Sequence, residues 1–164
     1  KKVFNSDGEK IKGDFIHIIP EQKAGKIIFD SELCKNDWCT INPQTFQLLN
    51  FKDIYAVGDS VDAGDMPKSA FSAESQAKIL SLNLINRILQ KSYLNPVFLN
   101  TCYSFSSNDR AFSITSWYKL NTMKDRIVSL GSSESSVDGL NNERIRESKE
   151  AFGWYESITK TLYG

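Results

Sequence analysis

Asp53-Ile54-Tyr55-Ala56-Val57 runs directly into Gly58-Asp59-Ser60, and a loop carrying Gly64, Asp65 and Pro67 then leads into a long amphipathic stretch. The first five residues are a compact strand signal. From Ser69 the apolar residues Ala73, Ala77, Leu80, Leu84 and Ile88 recur at steps of three and four, which predicts a helix with one face against a core. Pro67 and the Ser69 and Ser72 hydroxyls mark its start, while Arg87 and Lys91 suit the negative end of its dipole. The layout is strand, glycine-acid loop, helix. The chain has 164 residues, 40% hydrophobic and 24% charged, enough for a core of its own and unlike disordered or fibrous sequences.

Around this unit the chain reads as α+β. Ser6-Asp7-Gly8 is a turn signal, and Asp14 to Ile19 is an apolar, β-branched run closed by Pro20, as expected of a buried strand. Residues 26–29 suggest another short strand, 31–37 a polar turn, and Trp38 to Pro43 a short extended stretch. After Asn95-Pro96, Phe98 to Ser106 and Ala111 to Leu120 flank a Ser107-Asn108-Asp109 turn and predict an antiparallel hairpin, with a third strand near 126–130. Gly131 to Asn142 reads as a serine-rich linker, and Glu143 to Thr161 as a charged helix ending in an aromatic cluster.

Charge and motif content exclude several functions. Lysine plus arginine equals aspartate plus glutamate at 20 each, which gives no general electrostatic attraction for nucleic acid or anionic membranes. No apolar run approaches the roughly 20 residues of a transmembrane span. The glycines never form G-x-G, so neither a dinucleotide fingerprint nor a phosphate loop is present. Three cysteines, Cys34, Cys39 and Cys102, cannot all pair internally, and with the single His17 they lack the spacing of a closed zinc site, so no metal is expected. A Cys34–Cys39 disulfide is geometrically possible in a loop.

A short acid at the end of a strand can accept hydrogen bonds from a ribityl or sugar hydroxyl, and the following helix start offers free amides to a ring edge or phosphate. A flavin can be held in this way. The plainer reading of Gly58-Asp59 is an ordinary strand-to-helix turn with the aspartate as cap. Cys39 taken alone is equally a small buried residue beside Trp38. Cys102 reads as structural, with strand alternation pointing it inward, and His17 as a core or edge histidine. Trp117, Tyr118, Trp154 and Tyr155 read as core or domain interface.

The longer segment from Ile54 to Ser60 and from Met66 to Lys78 resembles the flavin-contacting segment of the pyridine nucleotide-disulfide oxidoreductase superfamily, and in particular the flavoprotein subunits of flavocytochrome c sulfide dehydrogenases, relatives of sulfide:quinone reductases. Further blocks match in the same order: Ile18-Ile19-Pro20 with Ala24 to Ile27, Trp38-Cys39-Thr40-Ile41, Asn100-Thr101-Cys102-Tyr103-Ser104 and the closing Trp154 to Ile158. The resemblance implies the C-terminal part of a flavoprotein with two dinucleotide-binding domains, about 250 residues lying upstream. It divides the chain into the end of the second such domain (1–52), a strand-loop-helix segment contacting FAD (53–92) and a C-terminal α+β domain with an antiparallel sheet and helices (93–164). The start at Lys1-Lys2-Val3, without Met or a leader, suits such a piece.

The resemblance also implies roles. Gly58, Asp59, Ser60, Pro67, Lys68 and Ser69 would contact FAD, with Lys68 either stabilising the anionic reduced ring or merely solvated. Cys39 would be one half of a redox-active disulfide whose other half lies upstream, oxidising sulfide and passing electrons through the flavin to a c-type cytochrome subunit in the periplasm. Cys34 departs from the family pattern. Two other readings remain open at this level: a non-catalytic interaction or dimerisation domain, and a fragment of an NAD(P)H-dependent disulfide oxidoreductase.

Overall fold

The structure, a computed structural model, describes residues 2–4, 7–136 and 138–164; Ser6 of the first turn signal and Val137 of the serine-rich linker lie outside the described residues. In chain order the elements are β1 (Lys2–Phe4), β2 (Lys10–Lys12), α1 (Lys26–Asp30), a 3-10 turn (Gly58–Ser60), α2 (Ala70–Ile88), β3 (Val97–Ser107), β4 (Arg110–Leu120), β5 (Ile127–Glu134) and α3 (Asn141–Tyr163). β1 and β2 form a small antiparallel pair, and β3, β4 and β5 form a three-stranded antiparallel sheet in that order. The fold is mixed α+β.

The sheet follows the predicted hairpin closely. Phe98 pairs with Tyr118, Asn100 with Ser116 and Cys102 with Ile114, so alternate residues share one face. That face is covered near Phe98, Tyr118, Leu120 and Ile127 by the irregular segment 39–66, with Cys39, Ile41, Phe46, Leu48, Val61, Ala63 and Met66 completing a single core. Phe46 meets Phe98 edge to face at 5.8 Å. The other face carries α3, and β5 extends to Glu134, so the first part of the expected linker is strand. Gly131 there opposes Trp117 beside a register shift, which lets a serine-rich run stay in the ladder.

Several expectations change. The run Asp14 to Ile19 is not a buried strand: Phe15 and Ile19 are 86% and 78% exposed, and His17 is exposed with them. No strand lies alongside among the described residues, and without a ladder β-propensity has nothing to act on. Residues 26–30 form α1 rather than a strand, opened after Gly25, with a Lys26–Asp30 pair one turn apart. Asp53 to Val57 makes only an isolated bridge, Tyr55 to Gln47. Phe46 and Asp53 both adopt left-handed backbone, φ 58° and 63°, and these turns flank the pairing and keep it short. Cys102 shares its face with Asn100 but lies beyond the part the loops cover, so it is exposed.

The helix α2 has the predicted span, yet its buried positions are polar: Ser72, Gln76 and Asn83. Ile88 is 79% exposed. The reason is hydrogen bonding. Irregular backbone at the core needs partners that a sheet would otherwise give. Asn83 donates to the Gln44 carbonyl at 2.7 Å and accepts from the Leu94 amide at 2.9 Å, and Ser75 accepts from the Leu99 amide at the sheet edge.

On the other side of the sheet, Glu147 of α3 is buried and accepts from the hydroxyls of Ser113, at 3.0 Å, and Ser135, and from the Arg144 guanidinium at 3.1 Å. Burial pushes its carboxyl up, but the Ser135, Ser113 and Arg144 bonds outweigh that and leave it below its ordinary value of 4.5. A carboxyl with a lowered folded pKa stabilises the fold above its unfolded value and loses that contribution as pH falls through the folded one. Glu147→Ala is expected to cost about 2 kcal/mol at neutral pH, and the difference from wild type should shrink on acidification. Urea melts at pH 7 and below pH 4 check both halves; a pH-independent difference would contradict the assignment.

Candidate functional site

Cys39 lies at the bottom of the core, 0% exposed. Its amide donates to the Ser60 carbonyl at 2.9 Å and its carbonyl accepts from the Asp62 amide at 3.0 Å, a parallel bridge to Val61. The cysteine and the glycine-acid turn, 20 residues apart in sequence, therefore share one backbone ladder. The turn itself is fixed from α2. Gly58 has φ 74°, its amide donates to Gln76 at 2.7 Å, and a Cβ there would stand 3.2 Å from that of Ala73. Glycine fits this approach and the left-handed backbone together.

Ser69 is the N-cap of α2. Its hydroxyl accepts from the Ser72 amide at 3.1 Å and donates to Asn100 Oδ1 at 2.6 Å, while Ser72 donates to the same oxygen at 3.2 Å. Asn100, 3% exposed in β3, thus locks the helix start onto the sheet. Sequence reasoning missed this positioning role; the signal was a carboxamide amid the aromatic and hydroxyl residues of β3. The amides ahead of Ser72 remain at an open helix start.

Lys68 is exposed overall, with its ammonium turned back against the loop and Trp38. Its ammonium donates to the Val61 carbonyl at 2.7 Å and sits 3.6 Å from the centre of the Trp38 ring. Burial lowers its pKa, against the opposing effect of Asp59 and Asp62. The lysine thereby ties Trp38, the neighbour of Cys39, to the loop after the 3-10 turn. Asp59 and Pro67 are exposed, and Asp59 adds negative charge beside Lys68. Next to Gly58 the surface opens into an apolar groove of about 750 Å³ between α2 and α3, lined by Val57, Ala73, Ala77 and Leu82 and by Ile158 and Leu162.

The loop from Gly58 to Pro67 is also moored to the sheet. Asp65 accepts from Arg126 at 2.9 Å and from the Ser129 amide at 3.0 Å, and its own amide donates to the Ile127 carbonyl at 3.1 Å. Those bonds, the Ser129 amide first, hold its carboxyl below the ordinary range.

Burial raises the Cys39 thiol to about 11, and the adjoining Cys34 thiol adds to the shift. Both are free thiols here, as is Cys102. No group of three or more histidine, cysteine, aspartate or glutamate side chains among the described residues is arranged to hold a metal, and no helix among them is long and apolar enough to cross a membrane.

A three-stranded sheet with a helix on one face, and on the other a cysteine-bearing core that fixes a glycine-acid turn and a capped helix start, defines a mixed α+β domain built to hold a turn and a helix terminus in register. Residues 94–162 match the family model described as "Flavocytochrome c sulphide dehydrogenase, flavin-binding". That stretch comprises the sheet and nearly all of α3 and is similar to the flavin-binding domain this family model describes. Cys39 and residues 58–69 lie outside the matched segment.

Proposed function

We propose that this chain is the C-terminal portion of an FAD-dependent sulfide dehydrogenase, in which Gly58, Asp59, Ser60, Pro67, Lys68 and Ser69 contact FAD and Cys39 is half of a redox-active disulfide. The observation that carries the proposal is the shared ladder of Cys39 with Ser60 and Asp62, which sets a redox-capable sulfur beside the cofactor-type turn. The residues present suit a flavin: an exposed carboxylate for a hydroxyl, an open helix start for an electron-rich edge and an ammonium nearby. Bound flavin supplies a two-electron acceptor.

The chain's own residues orient and hold charge. Hydrosulfide attack on a disulfide sulfur forms a persulfide and releases the other sulfur as a thiolate, with the electron pair of the broken S–S bond leaving on that thiolate. Cys39 is one of the two sulfurs. Lys68 keeps positive charge near Val61, where negative charge on a reduced ring would be favoured. Electrons then pass to a c-type cytochrome subunit, and a periplasmic location follows from that partner. Domain limits of 1–52, 53–92 and 93–164 accompany this reading.

The full-length protein should purify yellow, and Asp59→Ala should weaken FAD binding at least about tenfold, one lost hydrogen bond to a charged group. Fluorescence titration of apoprotein with FAD measures it. A colourless full-length protein, or unchanged affinity in Asp59→Ala, would count against the assignment.

Phe15 and Ile19, 86% and 78% exposed, favour a second reading in which the chain serves association with another domain without catalysis. The same titration separates them, since an interaction domain leaves the full-length protein without flavin.

A further inference from the structure

We propose that Cys34 and Cys39 form a local redox couple, present here as a dithiol, that closes to a disulfide by exchange with a low-molecular-weight disulfide entering at Cys34. The inference stands on the placement of the two thiols and competes with the upstream pairing of Cys39 proposed above, since Cys39 sulfur can hold only one partner at a time. The chain brings them together by a reversal after α1. Glu32 adopts left-handed backbone, φ 54°, the Leu33 amide returns to the Ile28 carbonyl at 3.0 Å, and the Asp37 carbonyl accepts from Ala24 at 2.7 Å. Cys34 is thereby packed against the core cluster that contains Cys39, and its thiol adjoins that of Cys39.

Their access to solvent differs. Cys34 is half-buried and lines a surface cavity of about 210 Å³ with Thr40, Leu48 and Phe51, whereas Cys39 is fully enclosed. An external disulfide can therefore reach Cys34 alone. Cys34 sulfur attacks RS–SR, an S–S bond to one RS group forms, and the other RS leaves as a thiolate that takes the Cys34 proton. Cys39 sulfur then attacks Cys34 sulfur, and the second RS leaves with the Cys39 proton. Two electrons have moved from the protein dithiol to RSSR, leaving one protein disulfide and two RSH. The raised pKa of Cys39 makes the second step the slower one at neutral pH. The loop closed between residues 34 and 39 withdraws Cys39 from any other partner.

Trypsin cuts after Lys35 and so separates the two cysteines into peptides 27–35 and 36–52, with Cys102 in peptide 92–110. Full-length protein treated with glutathione disulfide, acid-quenched, alkylated and digested should give 27–35 joined to 36–52 without glutathione. The joined species is lighter by about 2 Da than the two reduced peptides together. Cys39→Ser should trap glutathione on 27–35, and Cys34→Ser should leave Cys39 free of glutathione. Recovery of the two wild-type peptides unlinked, or of Cys39 joined to any other cysteine, would overturn the proposal.

Discussion

Replacing Cys39 by serine is expected to lower sulfide-dependent flavin reduction in the full-length protein by at least about 10³-fold, because the variant removes a sulfur that no other group can replace in disulfide exchange. The packing around Cys39 makes the comparison of two variants informative. The side chain is 0% exposed among Ile41, Phe46, Leu48 and Val61. A serine hydroxyl buried there without a partner costs about 1–3 kcal/mol, whereas alanine brings no polar group and costs only the loss of sulfur contacts. The two variants should therefore differ in melting temperature and agree in lost reduction. Activity that tracked stability across the pair would mark Cys39 as a packing residue. Normal reduction in Cys39→Ala would remove it from the chemistry altogether. Either variant should still bind flavin, since the backbone bonds to Ser60 and Asp62 do not involve its side chain.

The legible parts of this fold are those with a local periodic signal. The hairpin of β3 and β4, the Ser107 to Asp109 turn, the third strand and both long helices all follow from alternation, turn chemistry and caps within one segment. Ser69 as N-cap was readable for the same reason. What periodicity misled about is the role of α2. Apolar spacing pointed to Ala73, Ala77, Leu80, Leu84 and Ile88; Leu80 does pack against the core, but Ala73 and Ala77 line an open groove, Ile88 is exposed, and Gln76, Asn83 and Ser72 are the fully buried residues. The burial of Gln76 and Asn83 answers to irregular backbone at Gly58 and Gln44, 18 and 39 residues away, and that of Ser72 to the Asn100 side chain 28 residues on, partners that a local helical pattern does not reveal. The strand expected at Asp14 to Ile19 failed in the opposite direction. Its composition is that of a covered strand, and among the described residues nothing pairs with it. At the candidate site the residue types were visible in sequence. Their meeting was not, because the Cys39 to Val61 bridge and the Lys68 to Trp38 contact arise only when the segment 39–66 folds over the sheet.

Gly64→Ala should be the most damaging small substitution in the loop, costing about 4 kcal/mol and about 10 °C in melting temperature. Two costs coincide. Gly64 has φ 65°, where an L residue loses about 1–2 kcal/mol. A Cβ would also stand 2.3 Å from the Ile127 carbonyl oxygen, and this oxygen has little room to retreat. Ile127 is 1% exposed, pairs with Leu120 in the sheet and accepts the Asp65 amide through the same carbonyl. Relief of the overlap must separate the loop from β5, which breaks the Asp65 bonds to Arg126 and Ser129 and loosens the ladder that holds Ser60 and Asp62 against Cys39. Asp65→Ala tests the same mooring without the collision. It should melt closer to wild type, with a difference that fades on acidification, because the Asp65 carboxyl has a lowered folded pKa and its contribution is lost as pH falls through that value. Cys39 should become reactive toward an alkylating reagent in Gly64→Ala under conditions that leave the wild-type thiol protected. A Gly64→Ala protein that melts within a degree or two of wild type, with Cys39 still protected, would show that the loop is held to the sheet by something other than this contact.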